Sequence, residues 1–353
     1  MRAAILSNTR TGERESTPMP YRQPIRPVFG QLLVACFGGL TGCSGVQSSL
    51  DPAGRGAGQI AEIFWWMAGG TVAVWLFVCW LTWSAVRGRV AEQTERKARL
   101  YIIGGGVIFP TIVLAALLVY GLGQMPQLLA PAPAGSLRIE VTGEQYWWRV
   151  RYHTADDREV AVLANEIRLP VGEPVEFVLD SPDVIHSFWI PALGGKIDMV
   201  PGRRTRLLLE PTRTGTFRGQ CAEFCGTSHA YMAFAVVVTE KAKFERWLDE
   251  QRAPAAQPAD ALARRGGELF LMNGCAACHA IRGTDARGVI GPDLTHVGGR
   301  LTLGAGVLPN DPGGFVRWIS ETEKVKPGVR MPHFGMLPGE ELDALAAYLD
   351  SLQ

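Results

Sequence analysis

The densest group of metal-ligating side chains in the sequence lies in one short run, residues 221–232, which we call the cysteine loop. It contains two cysteines, a glutamate, a histidine and a methionine, and one more histidine lies upstream: Cys221, Glu223, Cys225, His229, Met232 and His186. Thiolate, imidazole and thioether ligands together favour copper. A mononuclear copper site of this kind uses one cysteine, whereas two cysteines in one loop allow both sulfur atoms to bridge two copper ions.

A disulfide and a zinc site are the alternative interpretations of the cysteine loop. A disulfide between Cys221 and Cys225 is compatible with an exported protein, but it gives His186, His229 and Met232 no role. Zinc rarely takes methionine as a ligand. The combination of residue types therefore favours copper over both alternatives.

A second motif lies nearer the C-terminus, where Cys275, Cys278 and His279 form the Cys-x-x-Cys-His sequence that attaches c-type haem. The two cysteines add to the haem vinyl groups, and the adjacent histidine reaches the iron. The Cys-x-x-Cys part alone is also compatible with a redox or zinc motif, but a histidine directly after it in an exported chain favours haem. Helical periodicity is predicted on both sides of the motif, over residues 261–272 and 339–351.

The composition excludes one broad class of function. The 353 residues are 47% hydrophobic and 20% charged, and 35 lysines and arginines nearly balance 34 aspartates and glutamates, giving a formal charge of +1. A nucleic-acid-binding chain carries a clear excess of positive charge. We therefore expect no nucleic-acid partner. The length leaves room for two or three domains.

Two apolar segments predict a transmembrane hairpin within residues 43–124. Residues 63–86 and 100–122 contain no charged side chain, and each is long enough to cross ~30 Å of hydrocarbon. The intervening loop, residues 87–99, contains five basic and two acidic side chains. Because basic loops stay on the cytoplasmic side, we expect the chain from about residue 125 onward to lie on the outer face.

The first 42 residues are predicted to be a leader. Basic residues precede an apolar stretch at residues 28–42, which is typical of a signal peptide. The stretch ends in Leu-Thr-Gly-Cys at residues 40–43, a sequence similar to the bacterial lipobox, whose cysteine, here Cys43, is lipidated. An ordinary signal peptide is the alternative. Met1 and Met19 are both candidate start positions.

The remaining chain divides into a β domain, a linker and a helical domain. Residues 125–248 contain short runs of alternating polarity separated by Gly, Pro or Asp, which predict an all-β sandwich or barrel. Residues 249–261 are rich in Ala and Pro and are expected to form a semi-rigid linker. Residues 262–353, which contain the haem motif, are expected to be all-α. The chain is therefore predicted to be multidomain.

The leader, the hairpin and the β domain together resemble subunit II of the haem–copper cytochrome c oxidases over about residues 43–245. The resemblance rests on the cysteine loop and on the segments Gly143–Trp148, Asp183–Phe188 and Lys196–Arg203. It implies that the β domain is a cupredoxin sandwich. It also implies that this domain carries the binuclear copper centre called CuA.

The resemblance implies a role for each residue of the copper site. Cys221 and Cys225 bridge both copper ions. The side chains of His186, His229 and Met232 and the backbone carbonyl of Glu223 complete the ligand set. The Glu223 side chain is also implied to reach a magnesium ion that is shared with subunit I.

Two positions depart from the family pattern. The family's aromatic stretch commonly begins with the tryptophan at which electrons from a soluble cytochrome c arrive, and Tyr146 stands there, followed by Trp147. These two residues are the candidate electron-transfer residues. The family's second span often carries a glutamate seven residues before its proline, at the mouth of a proton channel, and Ile103 stands there. Protons are therefore expected to enter by another group.

Residues 262–353 resemble class I cytochrome c. Besides the haem motif, the segment Gly291–Leu294 is similar to the family loop whose proline carbonyl orients the proximal histidine. The resemblance implies methionine as the sixth iron ligand, and Met331, which precedes Pro332, matches the family's Met-Pro loop. Met336 is the alternative ligand.

Together the resemblances imply subunit II of a caa-type cytochrome c oxidase in a bacterial inner membrane, with both redox domains on the periplasmic face. Electrons from an external cytochrome or respiratory complex are expected to pass through haem c and CuA to haem a of subunit I. Oxygen is reduced to water there, with proton translocation, and subunit III is a further expected partner. This chain is expected to carry electrons and no catalytic acid, base or nucleophile. The alternatives are the CuA-bearing subunit of a nitric oxide reductase and a stand-alone membrane lipoprotein electron carrier.

Overall fold

The computed structural model describes residues 43–88, 94–128, 130–154, 156 and 158–353, with the side chains of residues 127 and 128 excepted. The predicted leader, with both candidate start positions, lies outside the described residues. The segment Ser44–Gln353 forms one unit.

Two long apolar helices occupy the predicted transmembrane hairpin. The first, α1, spans Arg55–Val86. The second is continuous over Glu95–Pro126 and is made of α2 (Glu95–Arg99), a π-helical stretch (Leu100–Ile108) and α3 (Phe109–Leu128). Each is 32 residues long, with a mean hydropathy of 1.6 and 2.5 respectively. Both are therefore long and apolar enough to cross a membrane.

The π-helical stretch has a local cause in the sequence. The Phe109 N–H donates to the carbonyl of Gly104, five residues earlier, and Pro110 comes next. Proline has no N–H, and its ring collides with the carbonyl four residues before it, here that of Gly106. A wider turn relieves this collision. The apolar pattern predicts the span but not this widening.

Ten strands between residues 137 and 239 form a sandwich of two five-stranded sheets. They are β1 (Leu137–Glu144), β2 (Trp147–His153), β3 (Glu159–Ala164), β4 (Glu166–Pro170), β5 (Val175–Asp180), β6 (His186–Trp189), β7 (Ile197–Met199), β8 (Thr205–Leu209), β9 (Gly215–Cys221) and β10 (Ala233–Thr239). The sheet orders are β3-β2-β1-β5-β8 and β4-β10-β9-β6-β7. The pairs β1–β5 and β4–β10 are parallel. The predicted all-β sandwich is confirmed.

The core of the sandwich follows from the alternation along its strands, because residues two apart share one face of a sheet. Ile139 and Val141 of β1 are buried, as are Trp148 and Val150 of β2. A helix after the last strand, α4 (Lys241–Glu250), packs three buried apolar side chains against the same core: Phe244, Trp247 and Leu248.

The C-terminal domain is a small helical fold with its own apolar core. Its helices are α5 (Ala261–Met272), α6 (Pro312–Ser320), α7 (Thr322–Val325) and α8 (Gly339–Ser351), and a short hairpin joins β11 (Thr302–Leu303) to β12 (Leu308–Pro309). Sequence-encoded caps begin two of the helices. The carboxylates of Asp260 and Asp311 accept the N–H groups of Ala263 and Gly314, as N-cap residues do.

Helices α5 and α8 approach each other closely at Gly266. A β-carbon on Gly266 would collide with the backbone carbonyl of Ala344, whereas one on the adjacent Gly267 would lie 3.3 Å from the Tyr348 ring. The backbone carbonyl cannot move without moving α8, but a ring edge can shift. Of these two glycines, Gly266 is therefore the one that the packing requires.

We expect Gly266→Ala to destabilise the C-terminal domain by about 1–3 kcal/mol, because it overpacks a backbone contact. Gly267→Ala is the matched control and should be neutral or stabilising by up to about 1 kcal/mol, since alanine favours a helix. Hydrogen exchange of the α8 amides in the full chain measures both effects. Equal exchange in the two variants would contradict this assignment.

Candidate metal centres

Strand pairing brings the first histidine and the first cysteine of the predicted copper site together. His186 begins β6 and Cys221 ends β9, and these strands pair so that Phe188 lies opposite Cys221. His186 is fully buried, and its Nδ1 lies 3.8 Å from Cys221 Sγ. The sulfur atoms of Cys221 and Cys225 are also 3.8 Å apart, and both cysteines are free thiols.

The rest of the cysteine loop curls back over these sulfur atoms before β10 begins. Cys225 Sγ lies 3.5 Å from His229 Nδ1 and 3.8 Å from Met232 Sδ. The Cys221 thiol donates to the Glu223 carbonyl at 3.2 Å. All six groups named by the sequence analysis therefore converge, and their mixture of sulfur, imidazole and carbonyl donors fits copper.

Hydrogen bonding between the two thiols shifts their pKa values in opposite directions. Their mutual hydrogen bond lowers the pKa of Cys221, against the opposing effect of burial, and a further bond to His186 acts in the same direction. The same Cys221–Cys225 bond raises the pKa of Cys225. Because the thiolate is the form that binds metals, the lowered pKa of Cys221 favours metal binding there.

Asp183 holds the His186 ring in place, a role that the sequence analysis did not assign. Its Oδ1 lies 2.9 Å from His186 Nε2, and its Oδ2 accepts the Gln145 N–H at 2.7 Å. A proton on Nε2 leaves Nδ1 free to face Cys221, and such outer partners orient metal-binding histidines. The Asp-x-x-His spacing is the sequence feature from which this contact between Asp183 and His186 could have been predicted.

The electrostatics of this pair favour the charged forms. Burial raises the pKa of Asp183, but the hydrogen bonds from the Gln145 N–H and from His186 outweigh burial and lower it below its usual value. Burial likewise lowers the pKa of His186, but the hydrogen bonds with Cys221 and Asp183 outweigh it and raise the pKa overall. The His186 ring and the Asp183 carboxylate therefore stabilise each other's charged forms.

The aromatic stretch, residues 146–148, packs against the cysteine loop. The Tyr146 hydroxyl accepts the Thr227 N–H at 3.0 Å, and Gln145 Nε2 donates to the Cys225 carbonyl at 2.6 Å. Trp148 is fully buried and directs its indole N–H at the Met232 carbonyl, 3.4 Å away. Trp147 is half-buried and stacks under the guanidinium of Arg149, 4.6 Å from its ring centre.

The Glu223 side chain does not join the metal-ligand group. Among the residues that the structure describes, the group of three imidazole, thiol or carboxylate ligands close enough to share an ion is His186, Cys221 and Cys225. Glu223 contributes its carbonyl to the cysteine loop instead. Its predicted magnesium ion remains a prediction.

The haem motif follows directly on helix α5. Cys275 begins a short 3-10 turn, and the His279 ring Nδ1 lies 2.8 Å from the carbonyl of Pro292. A proton on Nδ1 leaves Nε2 free for an iron atom. Burial lowers the pKa of His279, which favours the neutral ring that metals bind. A β-carbon on Gly291 would lie 2.6 Å from the ring, so glycine is needed there. The residues therefore fit a c-type haem.

The two candidate methionine ligands differ in their surroundings. Met331 packs against the apolar core of the C-terminal domain, as does Cys275 of the haem motif. Met336 is 71% exposed. The partial burial of Met331 and the exposure of Met336 thus favour Met331 as the haem ligand.

Comparison with known proteins identifies both redox domains. The family described as "Cytochrome C oxidase subunit II, periplasmic domain" matches residues 153–239, and the family "Cytochrome c" matches residues 263–353.

Individual proteins show the same similarity. Cytochrome c oxidase subunit 2 of Alkalihalophilus pseudofirmus is 40% identical over 215 residues, which cover 61% of this chain and 61% of that relative. The alternative cytochrome c oxidase subunit 2 of Bradyrhizobium diazoefficiens is 31% identical over 223 residues, covering 54% of this chain and 78% of the relative. This chain thus spans less than two thirds of the length of the Alkalihalophilus relative.

A solved structure of a periplasmic domain is also similar to part of this chain. The crystal structure of the periplasmic domain of subunit II of cytochrome oxidase (CoxB) of Bradyrhizobium japonicum is 31% identical, with a TM-score of 0.31, and covers 35% of this chain and 97% of the solved chain.

Two apolar helices, a sandwich with converging sulfur and imidazole donors, and a helical domain with a haem motif define a class of membrane-anchored redox protein with an outer-face domain. The chain belongs to the cytochrome c oxidase subunit 2 family and carries a cytochrome c domain at its C-terminal end. Family membership implies a CuA site in the sandwich and haem c in the helical domain.

We expect Asp183→Asn to weaken copper binding by about 10–100-fold, because the His186 ring loses its charged partner. Asp198→Asn is the control, since Asp198 is 52% exposed and pairs only at the surface with Lys196. Copper titration of the full chain against a competing chelator measures both affinities. Equal affinities for the two variants would show that Asp183 does not position the ring.

Proposed function

We propose that this chain is subunit II of a caa-type cytochrome c oxidase and carries electrons from an external donor to haem a of subunit I. The observation that carries the proposal is the convergence of His186 with the sulfur, imidazole and carbonyl donors of the cysteine loop, in the same unit as a Cys-x-x-Cys-His domain. When bound, the two cofactors supply one-electron centres, and thiolates bridging two copper ions share the electron between them.

The chain's own residues hold and tune the copper ions in this proposal. Cys221 and Cys225 would hold the copper ions together with His186, His229, Met232 and the Glu223 carbonyl. The close packing of these groups supports this assignment, because the donors need little movement to bind. Buried apolar walls exclude water from the site: Cys221, Cys225 and Met232 are all buried.

The haem is held in an equivalent way. Cys275 and Cys278 would attach the haem covalently, and His279 would bind the iron with Nε2 while the Pro292 carbonyl accepts its Nδ1–H. Met331 would supply the second protein ligand to the iron. Methionine in this position raises the reduction potential of a haem.

The proposal extends to location and partners. The hairpin of α1 and α3 anchors the chain in a bacterial inner membrane, with both redox domains on the periplasmic face. Subunit I, where oxygen is reduced to water and protons are translocated, is the partner that accepts electrons, and subunit III completes the complex. A cytochrome or an upstream respiratory complex is the donor.

The test is purification of the full membrane complex with metal and haem analysis. We expect two copper ions per chain, covalent haem c, co-purifying haem a and oxygen uptake, and Cys221→Ser should lose the copper and the uptake. Cys79→Ser is the control, because Cys79 is exposed on α1 and contacts no predicted ligand. Copper and haem c without haem a or oxygen uptake would overturn the oxidase assignment and favour a reductase subunit or a free carrier.

The axial methionine is tested separately. We expect Met331→Leu to lower the midpoint potential of the haem, because the thioether ligand is lost. Met336→Leu should leave the potential unchanged, since Met336 is exposed. Redox titration of the haem absorbance distinguishes them. A shifted potential in the Met336 variant alone would reverse the assignment.

A further inference from the structure

The C-terminal domain lies against the sandwich close to both predicted redox sites. Its side of the contact includes Val289 and Ile290, which directly precede the Gly291–Pro292 segment that holds His279. The sandwich side includes Ala233, which directly follows Met232 of the cysteine loop. The two domains therefore meet next to the groups that we assign to copper and haem.

A lysine is buried at the centre of this contact. Lys326 follows α7, is only 1% exposed, and donates from Nζ to the Tyr146 carbonyl at 2.6 Å and to the Gly304 carbonyl at 2.8 Å. One acceptor belongs to the sandwich and the other to the C-terminal domain. A buried ammonium is costly unless it is hydrogen-bonded, and separation of the domains would remove one of its two acceptors. The side chain therefore links the two domains directly.

The residues after Lys326 reach the cysteine loop itself. Ser228, which precedes His229, donates its hydroxyl to the Pro327 carbonyl at 2.6 Å. A β-carbon on Gly328 would lie 3.5 Å from the Tyr146 ring, and the Tyr146 hydroxyl accepts the Thr227 N–H. Lys326, Pro327 and Gly328 thus contact the aromatic stretch and the cysteine loop together.

Four further hydrogen bonds surround this centre. Arg149 donates to the Val289 carbonyl at 3.0 Å and to the Ile290 carbonyl at 3.3 Å. The Leu301 N–H donates to the Glu166 carboxylate at 2.8 Å, and the Ala233 N–H donates to the Ala305 carbonyl at 3.2 Å. The contact is therefore made of directional bonds to backbone groups, which specify one arrangement of the two domains.

The segment between the domains is also held. Residues 251–260 connect α4 to α5, and Arg282 donates to the Gln251 carbonyl at 2.6 Å. The Ala255 N–H donates to the Arg282 carbonyl at 2.9 Å. These bonds tie the predicted linker to the C-terminal domain, so it does not act as a free tether.

We propose that Lys326 is a positioning residue that fixes the cytochrome domain on the copper domain through the Tyr146 carbonyl, so that electrons cross between docked domains without a swing of the linker. This inference rests on the proposed function. Burial lowers the pKa of Lys326 to about 7, which is consistent with a group that is fully removed from water in the docked state.

The test compares Lys326→Met, which keeps the length and apolar stem but removes the donor, with Lys324→Met, two residues earlier on α7. The Lys324 side chain is 79% exposed and pairs with Glu321. Hydrogen exchange of the Leu301 and Ala233 amides, which donate across the contact, reports docking with or without bound cofactors. We expect exchange at both amides to rise about tenfold or more in Lys326→Met and to stay unchanged in Lys324→Met.

The second measurement is the rate of electron transfer out of photoreduced haem c in the full chain at increasing glycerol concentration. A docked arrangement gives a rate that is independent of viscosity, whereas a swinging domain gives one that falls as viscosity rises. We expect viscosity independence in the parent chain and in Lys324→Met. Lys326→Met should become slower and viscosity-dependent, which a loss of stability alone would not produce.

The possible outcomes separate the inference from the proposed function. The positioning role would be overturned if the electron-transfer rate of the parent chain depended on viscosity. It would also be overturned if Lys326→Met and Lys324→Met gave the same amide exchange and the same transfer rates. Either result would leave the electron-transfer function intact. No transfer in the parent chain would overturn the function, and the exchange measurement would still decide the docking. If Lys326→Met fails to fold, Ser228→Ala removes the neighbouring Ser228–Pro327 bond and should raise exchange at the same two amides; no rise there would count against the inference.

Discussion

The pairing of β6 with β9 is the constraint on which the redox site of the sandwich depends. It places Phe188 opposite Cys221, and since side chains alternate along a strand, His186 lies on the same inner face two residues earlier. Phe188 stacks on Phe234 of β10 with ring centres 5.0 Å apart, and Trp148 packs edge-on against both rings. This aromatic layer joins β6 and β10 of one sheet to β2 of the other. The cysteine loop connects β9 to β10 above it.

The two redox sites orient an imidazole ring by the same kind of hydrogen bond. At His186 the outer nitrogen faces the Asp183 carboxylate, and at His279 it faces the Pro292 carbonyl. In both cases an acceptor on one nitrogen leaves the other nitrogen directed at the predicted metal. The acceptors differ in charge, and the consequence is visible in the pKa values: a carboxylate and a thiol raise the pKa of His186, whereas burial lowers that of His279.

Local sequence patterns predicted the architecture and the two redox motifs of this molecule. They did not predict the contacts between residues that are far apart in the chain. The cysteine loop and the Cys-x-x-Cys-His motif are short, so residue type and spacing alone indicate their chemistry, and the uncharged spans and alternating strands predict the architecture. The resemblance to the family's Met-Pro loop already favoured Met331 over Met336, and the exposure of Met336 agrees with that choice. The docking role of Lys326 could not be predicted from the sequence. A lysine after a short helix is typical of a solvated surface, and its acceptor on Tyr146 lies 180 positions away along the chain. Only the meeting of two domains makes it a buried group.

The same meeting of domains explains the departure at Tyr146. In the family this position commonly holds a tryptophan where electrons from a soluble cytochrome c arrive, a role that requires an exposed ring. Tyr146 is only 6% exposed, because the segment Lys326–Gly328 covers it on one side and the cysteine loop on the other. Its hydroxyl holds the loop through Thr227 and its carbonyl holds the cytochrome domain through Lys326. A tryptophan has no oxygen in its ring to accept the Thr227 N–H. In the proposed docked arrangement, Tyr146 thus fixes the position of the cytochrome domain instead of meeting a diffusing partner.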